Sequence, residues 1–323
     1  MFRRALLQRA AATLAASSSS RLVNRGSACR VAPLVVSPLL RKAPISLLAA
    51  GSTGAACALC SAAAAPASVI HGSTDVAWPR VTLYQYEPCP YCCKVKAVLD
   101  YLRIPYHVVE VNPLSKAETK TFTDYKKVPV LRLDDDEVVV DSSVIIARLR
   151  ALAVERGVHQ ADASDDQSGV SLAEEEAWRK WVDDKLIILT PPNIYRTVPE
   201  ALQSFEYVLT DGKFTALERQ LAKYSGAAIM YIVAKRAKKK YGIDDERAAL
   251  YAALNAFVDA VGKERPFLGG AQPNTADLSV FGVLRAMEGL QTYDDLMQQS
   301  SIAPWFERMR AAVGPSTRVV ESA

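Results

Sequence analysis

Along the 323-residue chain, the first clear pattern that implies a secondary-structure element is the run Val81-Thr82-Leu83-Tyr84-Gln85-Tyr86. It is β-branched and aromatic, which predicts a short buried strand. Glu87-Pro88 predicts a turn. From Pro90 the period changes, because Val95, Val98, Leu99 and Leu102 recur at three and four residues, the spacing of one helical face, and proline suits a first helical turn. A second strand is expected at Tyr106-His107-Val108-Val109-Glu110-Val111, and a second helix inside the polar stretch from Asn112 to Lys127. Val128-Pro129-Val130-Leu131-Arg132-Leu133 predicts a third strand with a proline at its beginning, where strand prolines are tolerated. Asp134-Asp135-Asp136 turns the chain into a fourth strand, Val138-Val139-Val140, in hairpin with the third. Asp141-Ser142-Ser143 caps a helix through Val144, Ile145, Ile146 and Leu149.

This order, strand-helix-strand-helix-strand-strand-helix, is that of a thioredoxin-like domain over residues 76–152. Residues 153–172 contain a stretch rich in Asp, Ser, Gly and Gln and are expected to be a linker. Beyond it the strand pattern stops. Trp178, Trp181, Val182, Leu186 and Leu189 keep helical spacing until Pro191-Pro192, which is expected to end that helix. Phe214, Leu217 and Leu221 mark another helix, and residues 230–260 give further turns. Asn274 with Asp277 three residues on has the form of a capping box before the apolar run from Leu278 to Leu284. The fold class expected is therefore an α/β thioredoxin-like N-terminal domain followed by an all-α domain over residues 173–315.

Charge changes the picture at the N-terminus. The net charge of +4 is mostly a property of the leader, since no Asp or Glu precedes Asp75 while Arg3, Arg4, Arg9, Arg21, Arg25, Arg30, Arg41 and Lys42 do. An Arg- and Ser-rich, acid-free start is the signature of an organellar transit peptide, so residues 1–75 are set apart from the fold. The expected destination is the mitochondrion or plastid, with Golgi or another endomembrane as the alternative. Residues 43–70 carry no charge, but Ala, Gly, Ser and Pro dominate them; they are either a flexible leader or a weak membrane anchor.

Cys89, Cys92 and Cys93 fall together between a predicted strand and a predicted helix. A thiolate is the reactive form of cysteine, and the unpaired N–H groups and partial positive charge of a helix start favour the anion at Cys89. Cys92, one turn on, can form a disulfide with Cys89 or donate a hydrogen bond to its sulfur. Helical geometry turns Cys93 roughly 100° away, which makes it a packing residue. A zinc half-site is the alternative for the pair, but no second CxxC accompanies it and His71, His107 and His159 are scattered, so no protein-bound metal is expected. Lys235-Arg236-Ala237-Lys238-Lys239-Lys240 has no interleaved aromatics for single-stranded nucleic acid and is expected to be a solvated or lipid-facing helix surface.

Cys89-Pro90-Tyr91-Cys92 after a strand, with Val128-Pro129 and Asp141-Ser142 downstream, resembles the glutaredoxin and glutathione-transferase superfamily. Within it, Tyr125-Lys126-Lys127-Val128-Pro129, Pro192-Asn193-Ile194-Tyr195-Arg196-Thr197, Arg265-Pro266-Phe267-Leu268-Gly269-Gly270 and residues 283–290 resemble the microsomal prostaglandin E synthase type 2 family. The resemblance implies a cis Pro129 that leaves the main chain of Val128 free for the cysteinyl part of glutathione. It also implies that Asp141 and Ser142 hold the γ-glutamyl end, and that Tyr91 belongs to the same cleft. Tyr86 would hydrogen-bond the reacting oxygen of the substrate. Glutathione is the cofactor implied, with haem held through its thiolate as an extension, and the assembly implied is a membrane-associated homodimer.

Three readings follow from these residues. The first is an isomerase that converts the prostaglandin H2 endoperoxide to prostaglandin E2 with Cys89, Tyr86 and Cys92 as catalytic residues. The second is a glutaredoxin-like thiol–disulfide oxidoreductase or a glutathione transferase. The third is a non-enzymatic glutathione and haem carrier.

Overall fold

The computed structural model describes residues 76–113, 115–158, 171–206 and 216–320. The proposed leader, the uncharged stretch 43–70, and most of the expected linker lie outside these residues. Among the described residues no helix is long and apolar enough to cross a membrane.

Four strands form one mixed sheet in the order β2-β1-β3-β4. β1 (Val81–Gln85) runs parallel to β2 (Tyr106–Glu110) and antiparallel to β3 (Val130–Leu133), which pairs antiparallel with β4 (Glu137–Val140). Helix α1 (Pro90–Tyr101) makes the crossover from β1 to β2, α2 (Ala117–Lys120) leads towards β3, and α3 (Ser142–Glu155) follows β4. All five residues of β1 are buried. Val81 and Leu83 enter the main core while Tyr84 joins Val111 and Val130 in a smaller cluster, so the sheet is covered on both faces as a crossover connection requires. The second helix is much shorter than the polar stretch allowed. With Thr119 its only buried residue, it has too small an apolar face to be held longer.

The remainder is helical: α4 (Leu172–Trp181), a π-helical segment (Val182–Leu186), α5 (Ile187–Ile194), α6 (Val198–Gln203), α7 (Ala216–Lys240), α8 (Glu246–Val261), α9 (Thr275–Arg285), α10 (Gln291–Gln299) and α11 (Ala303–Val313). Pro191 and Pro192 do not end their helix, contrary to the sequence expectation; α5 contains both and closes at Ile194. Tertiary anchoring outweighs the two missing donors there, because the buried Asn193 amide donates to Leu189 O at 2.9 Å and to Glu246 O at 2.8 Å. The capping box does form: Asn274 Oδ1 accepts from Asp277 N–H at 3.0 Å, and Asp277 Oδ2 accepts from Asn274 N–H at 3.1 Å. Asp277 also accepts from Leu268 N–H, Gly269 N–H and the Trp305 indole, which ties the loop before α9 to α11.

The helical layer grips α1 at three points. Gly282 of α9 lies so close to α1 that a Cβ there would sit 2.6 Å from Cys93 O and 2.7 Å from Lys94 N. The nearly buried Lys94 ammonium meets Asp183 of the π-helical segment at 2.6 Å. Asp100, fully buried at the end of α1, meets Arg285 at 2.7 Å. Asp100 also accepts from Thr317 N–H at 2.9 Å and from the Ser316 hydroxyl, and so pins the C-terminal tail against the edge of β2, where Val319 N–H donates to Tyr106 O at 2.8 Å. Changing Asp100 to Ala should lower stability by about 3–5 kcal/mol, because Arg285 would be left without its charge partner in a largely buried site. Urea unfolding monitored by circular dichroism measures this; a loss below 1 kcal/mol would show that the tail and Arg285 rearrange at no cost.

Candidate active site

Cys89 is the N-cap of α1, in extended conformation, with Pro90 as the first helical residue. Its own N–H closes the turn by donating to Tyr86 O at 3.0 Å, and its carbonyl starts the helix by accepting from Cys93 N–H at 2.9 Å. The strand thus ends, turns and restarts as a helix within four residues, and this presents the sulfur to the unpaired amides of the first turn. The Cys92 thiol donates a hydrogen bond to the Cys89 sulfur, and the amides of Cys92 and Tyr91 donate as well. Together with the Lys96 charge they hold the Cys89 thiol below the usual cysteine range despite burial. Burial, then the donation to Cys89, pushes the Cys92 thiol well up, so it stays protonated and keeps donating. Two adjacent cysteines with divergent acidities give one nucleophile and one resident donor.

Cys93 is buried and turned away, as helical geometry requires; its thiol points at Glu87 O at 3.5 Å, and burial pushes it up to about 11. It packs beneath the turn. Among the described residues there is no group of three metal-binding side chains.

Four tyrosine hydroxyls lie near enough to feel the charge of Cys89. The hydroxyl of Tyr86 is pushed up by burial and then by the Cys89 charge, so it is a donor throughout the working range. Tyr91 is raised by burial, with Asp183, Cys89 and Asp141 adding to it, although part of its ring reaches solvent. Tyr125 is raised by burial and feels Asp141, Cys89 and Cys92. Tyr195, enclosed at the end of α5, is raised by burial and then by the charge of Cys89. The resemblance assigns roles to Tyr86 and Tyr91 only. Tyr125 and Tyr195 lay inside matched strings, but nothing local marked them as facing a cysteine far away in the chain.

The other expected binding residues flank the same site. Val128-Pro129 is a cis peptide. Val128 lies just before the β3 ladder, whose pairing begins at Val130. Asp141 caps α3, its carboxylate accepting from Ser143 N–H at 2.9 Å, and Ser142 is buried at the first helical position. The Asp141 backbone has φ 75° and ψ 129°. A residue with a side chain seldom adopts that conformation, and such strain concentrates at ligand clamps. Asp141 and Cys89 both act on the Tyr91 and Tyr125 hydroxyls, so the four residues lie in one neighbourhood.

Comparison with known proteins gives the family. Residues 83–157 match the family model "Glutathione S-transferase, N-terminal domain". Among solved structures, a β-etherase from Sphingobium sp. strain SYK-6 superposes with a TM-score of 0.49 at 19% identity, covering 72% of this chain and 96% of that one. A mouse protein named Prostaglandin E synthase 2 is 44% identical over 271 residues, which is 72% of this chain and 70% of the mouse protein. The zebrafish protein of that name is 44% identical over 268 residues, 72% of this chain and 71% of its own length. Identity at that level over that length, on a thioredoxin-like sheet whose cysteine caps a helix clamped by a helical layer, places the chain in the prostaglandin E synthase 2 family.

Proposed function

We propose that the chain is an isomerase that converts the 9,11-endoperoxide of prostaglandin H2 to the hydroxy-ketone of prostaglandin E2, as the name of its relatives suggests. The observation that carries the reading is the single Cys89 sulfur at the helix start, its pKa lowered by the Cys92 thiol and the first-turn amides. The Cys89 sulfur attacks the oxygen on C9, forming an S–O bond as the O–O bond breaks, and the electron pair goes to the oxygen on C11. Tyr86, kept protonated, hydrogen-bonds the developing charge. Loss of the C9 proton then forms the ketone and expels the thiolate, and the oxygen on C11 ends as a hydroxyl. Protons and electrons balance with no external reductant.

Glutathione, when bound, supplies a thiol beside the substrate. The residues present suit it: the strained Asp141 cap offers a carboxylate for the ammonium, Ser142 a hydroxyl and helix-start amide for the γ-glutamyl carboxylate, and Val128 a main chain next to the ladder. For haem they offer less. His107, the histidine among the described residues, sits mid-strand opposite Thr82, three residues back from the end of β2 that faces the turn.

Changing Asp141 to Asn should preserve the cap yet weaken glutathione by about 1.5–3 kcal/mol, roughly 10- to 100-fold in Kd, because only the charge for the ammonium is lost. Calorimetry gives the number directly, and an unchanged Kd would remove Asp141 from the cleft. A second reading, dithiol reduction of disulfides, is favoured by the contact between the Cys89 and Cys92 sulfurs. Assaying the purified chain against the endoperoxide and against hydroxyethyl disulfide decides between them. Turnover of the disulfide alone would replace the isomerase reading.

A further inference from the structure

Beneath the turn that carries Cys89 lies an ionic cluster that the proposed chemistry does not use. Glu87, two residues before Cys89, is fixed at both ends of its peptide. Its N–H donates to Glu110 Oε1 at 2.9 Å, and its carbonyl accepts from the Cys93 thiol and from Lys96 Nζ, each at 3.5 Å. Its carboxylate binds Lys96 at 2.7 Å and faces Arg318 of the C-terminal tail at 3.8 Å. The Gln85 amide donates to the carboxylates of both Glu87 and Glu110. Two carboxylates therefore share one amide group, and both cations bond Glu87, leaving Glu110 held by neutral donors.

We propose that Glu110 is a positioning residue for Cys89: its carboxylate anchors the Glu87 amide and fixes the turn that delivers the cysteine to the helix start. The inference rests on the reading of Cys89 as the reactive thiolate.

The geometry gives the carboxylate that task. β2 ends at Glu110, in register with Gln85, the last residue of β1. The side chain thus reaches across to the first peptide after the strand. A charged acceptor holds an amide more tightly than a neutral one. The groups that face Glu110 are Gln85 of β1, Tyr86 and Glu87 of the turn, Lys96 of α1 and, through Glu87, Arg318 of the tail; Glu118 of α2 acts on the same Tyr86 hydroxyl. Burial pushes the Glu110 carboxyl up to about 7, opposed by the Glu87 amide and reinforced by the Glu87 charge. When Glu110 ionises, its charged acceptor holds the Glu87 amide, and with it the turn that leads to Cys89, more tightly.

The test follows the rate of iodoacetamide alkylation of Cys89 in the full chain from acid to mildly alkaline pH, with the modified peptide identified by mass. The wild type is expected to show the acid step of the thiolate and a second inflection near neutrality, where Glu110 titrates. Glu110→Gln, whose amide oxygen can still accept from Glu87, should keep the acid step and lose the second. Glu110→Ala should move the acid step up by about one pH unit, since the turn is no longer anchored, and should lower kcat with little change in KM. Glu110→Gln showing both steps, or a folded Glu110→Ala with a wild-type profile, overturns the assignment while leaving the reactive thiolate in place. A wild type without an acid step overturns the thiolate reading and this inference with it. If Glu110→Ala does not fold, the Glu110→Gln profile decides alone.

Discussion

Replacing Cys89 by Ser is expected to lower endoperoxide isomerisation on the order of a thousandfold or more, the largest effect of any single change in this chain. A serine hydroxyl at the same helix start receives the same amides and the same Cys92 donor, but these favour an anion that serine does not form near neutral pH. The paired variants at Cys92 separate the rival chemistries. Cys92→Ser should retain a large part of the isomerisation, because a hydroxyl can go on donating to the Cys89 sulfur. It should lose dithiol reduction of protein disulfides, which needs Cys92 to resolve the mixed disulfide. Cys92→Ala removes the donor that contributes most to the lowered pKa of Cys89. The sign is fixed: the thiolate is present above its pKa, so losing a stabiliser of the anion moves the acid limb of the rate profile to higher pH, by about one unit. Rates measured across pH for these variants check each statement. A Cys89→Ser enzyme that isomerises at the wild-type rate would end the catalytic assignment.

Gly282→Ala should destabilise the protein although helix propensity argues the other way. Alanine in a helix interior is better than glycine by about 1 kcal/mol. At this position, however, the added methyl would meet Cys93 O and Lys94 Cα at 2.6 Å and Lys94 N at 2.7 Å. These are main-chain atoms of α1, which no side-chain rotation can move aside. Overpacking of this kind costs typically about 1–3 kcal/mol and occasionally more, and here it must also outweigh the propensity gain. We expect a net loss of about 2 kcal/mol and a melting temperature lower by about 5 °C, on the size scaling of a chain of this length. The more telling readout is at the site. Because α1 carries Cys89 and Cys92 in its first turn, displacing its second turn should also slow Cys89 alkylation at neutral pH. Thermal unfolding with unchanged stability would mean that α9 and α1 are not packed as closely as described.

Much of this molecule was legible in the sequence. The change of period after Glu87-Pro88 located the strand, turn and helix start around Cys89, since strand and helix periodicities differ and proline prefers the first helical turn. The Asp141 cap and the Asn274–Asp277 box were equally readable, because capping depends on residues within one turn of each other. Local chemistry also gave the acidity order of the two cysteines in outline, one at the helix start and one a turn inside.

What the sequence did not contain was decided by contacts between distant segments. Pro191 and Pro192 looked like a stop, and the helix continues because buried Asn193 is fastened to Glu246, which no local rule foresees. Tyr195 faces Cys89 only because the helical layer folds over the sheet. The roles of Glu87, Lys96 and Glu110 follow from the parallel register of β1 with β2, which sets Gln85 beside Glu110 and so places a carboxylate against the peptide that leads to Cys89. Short-range preference fixed where the reactive cysteine stands in the chain. The groups that lower its pKa, Cys92, Tyr91 and Lys96, are also near in sequence; the tertiary structure adds the burial and the hydroxyls of Tyr125 and Tyr195, which feel its charge because electrostatic interaction depends on distance in space rather than along the backbone.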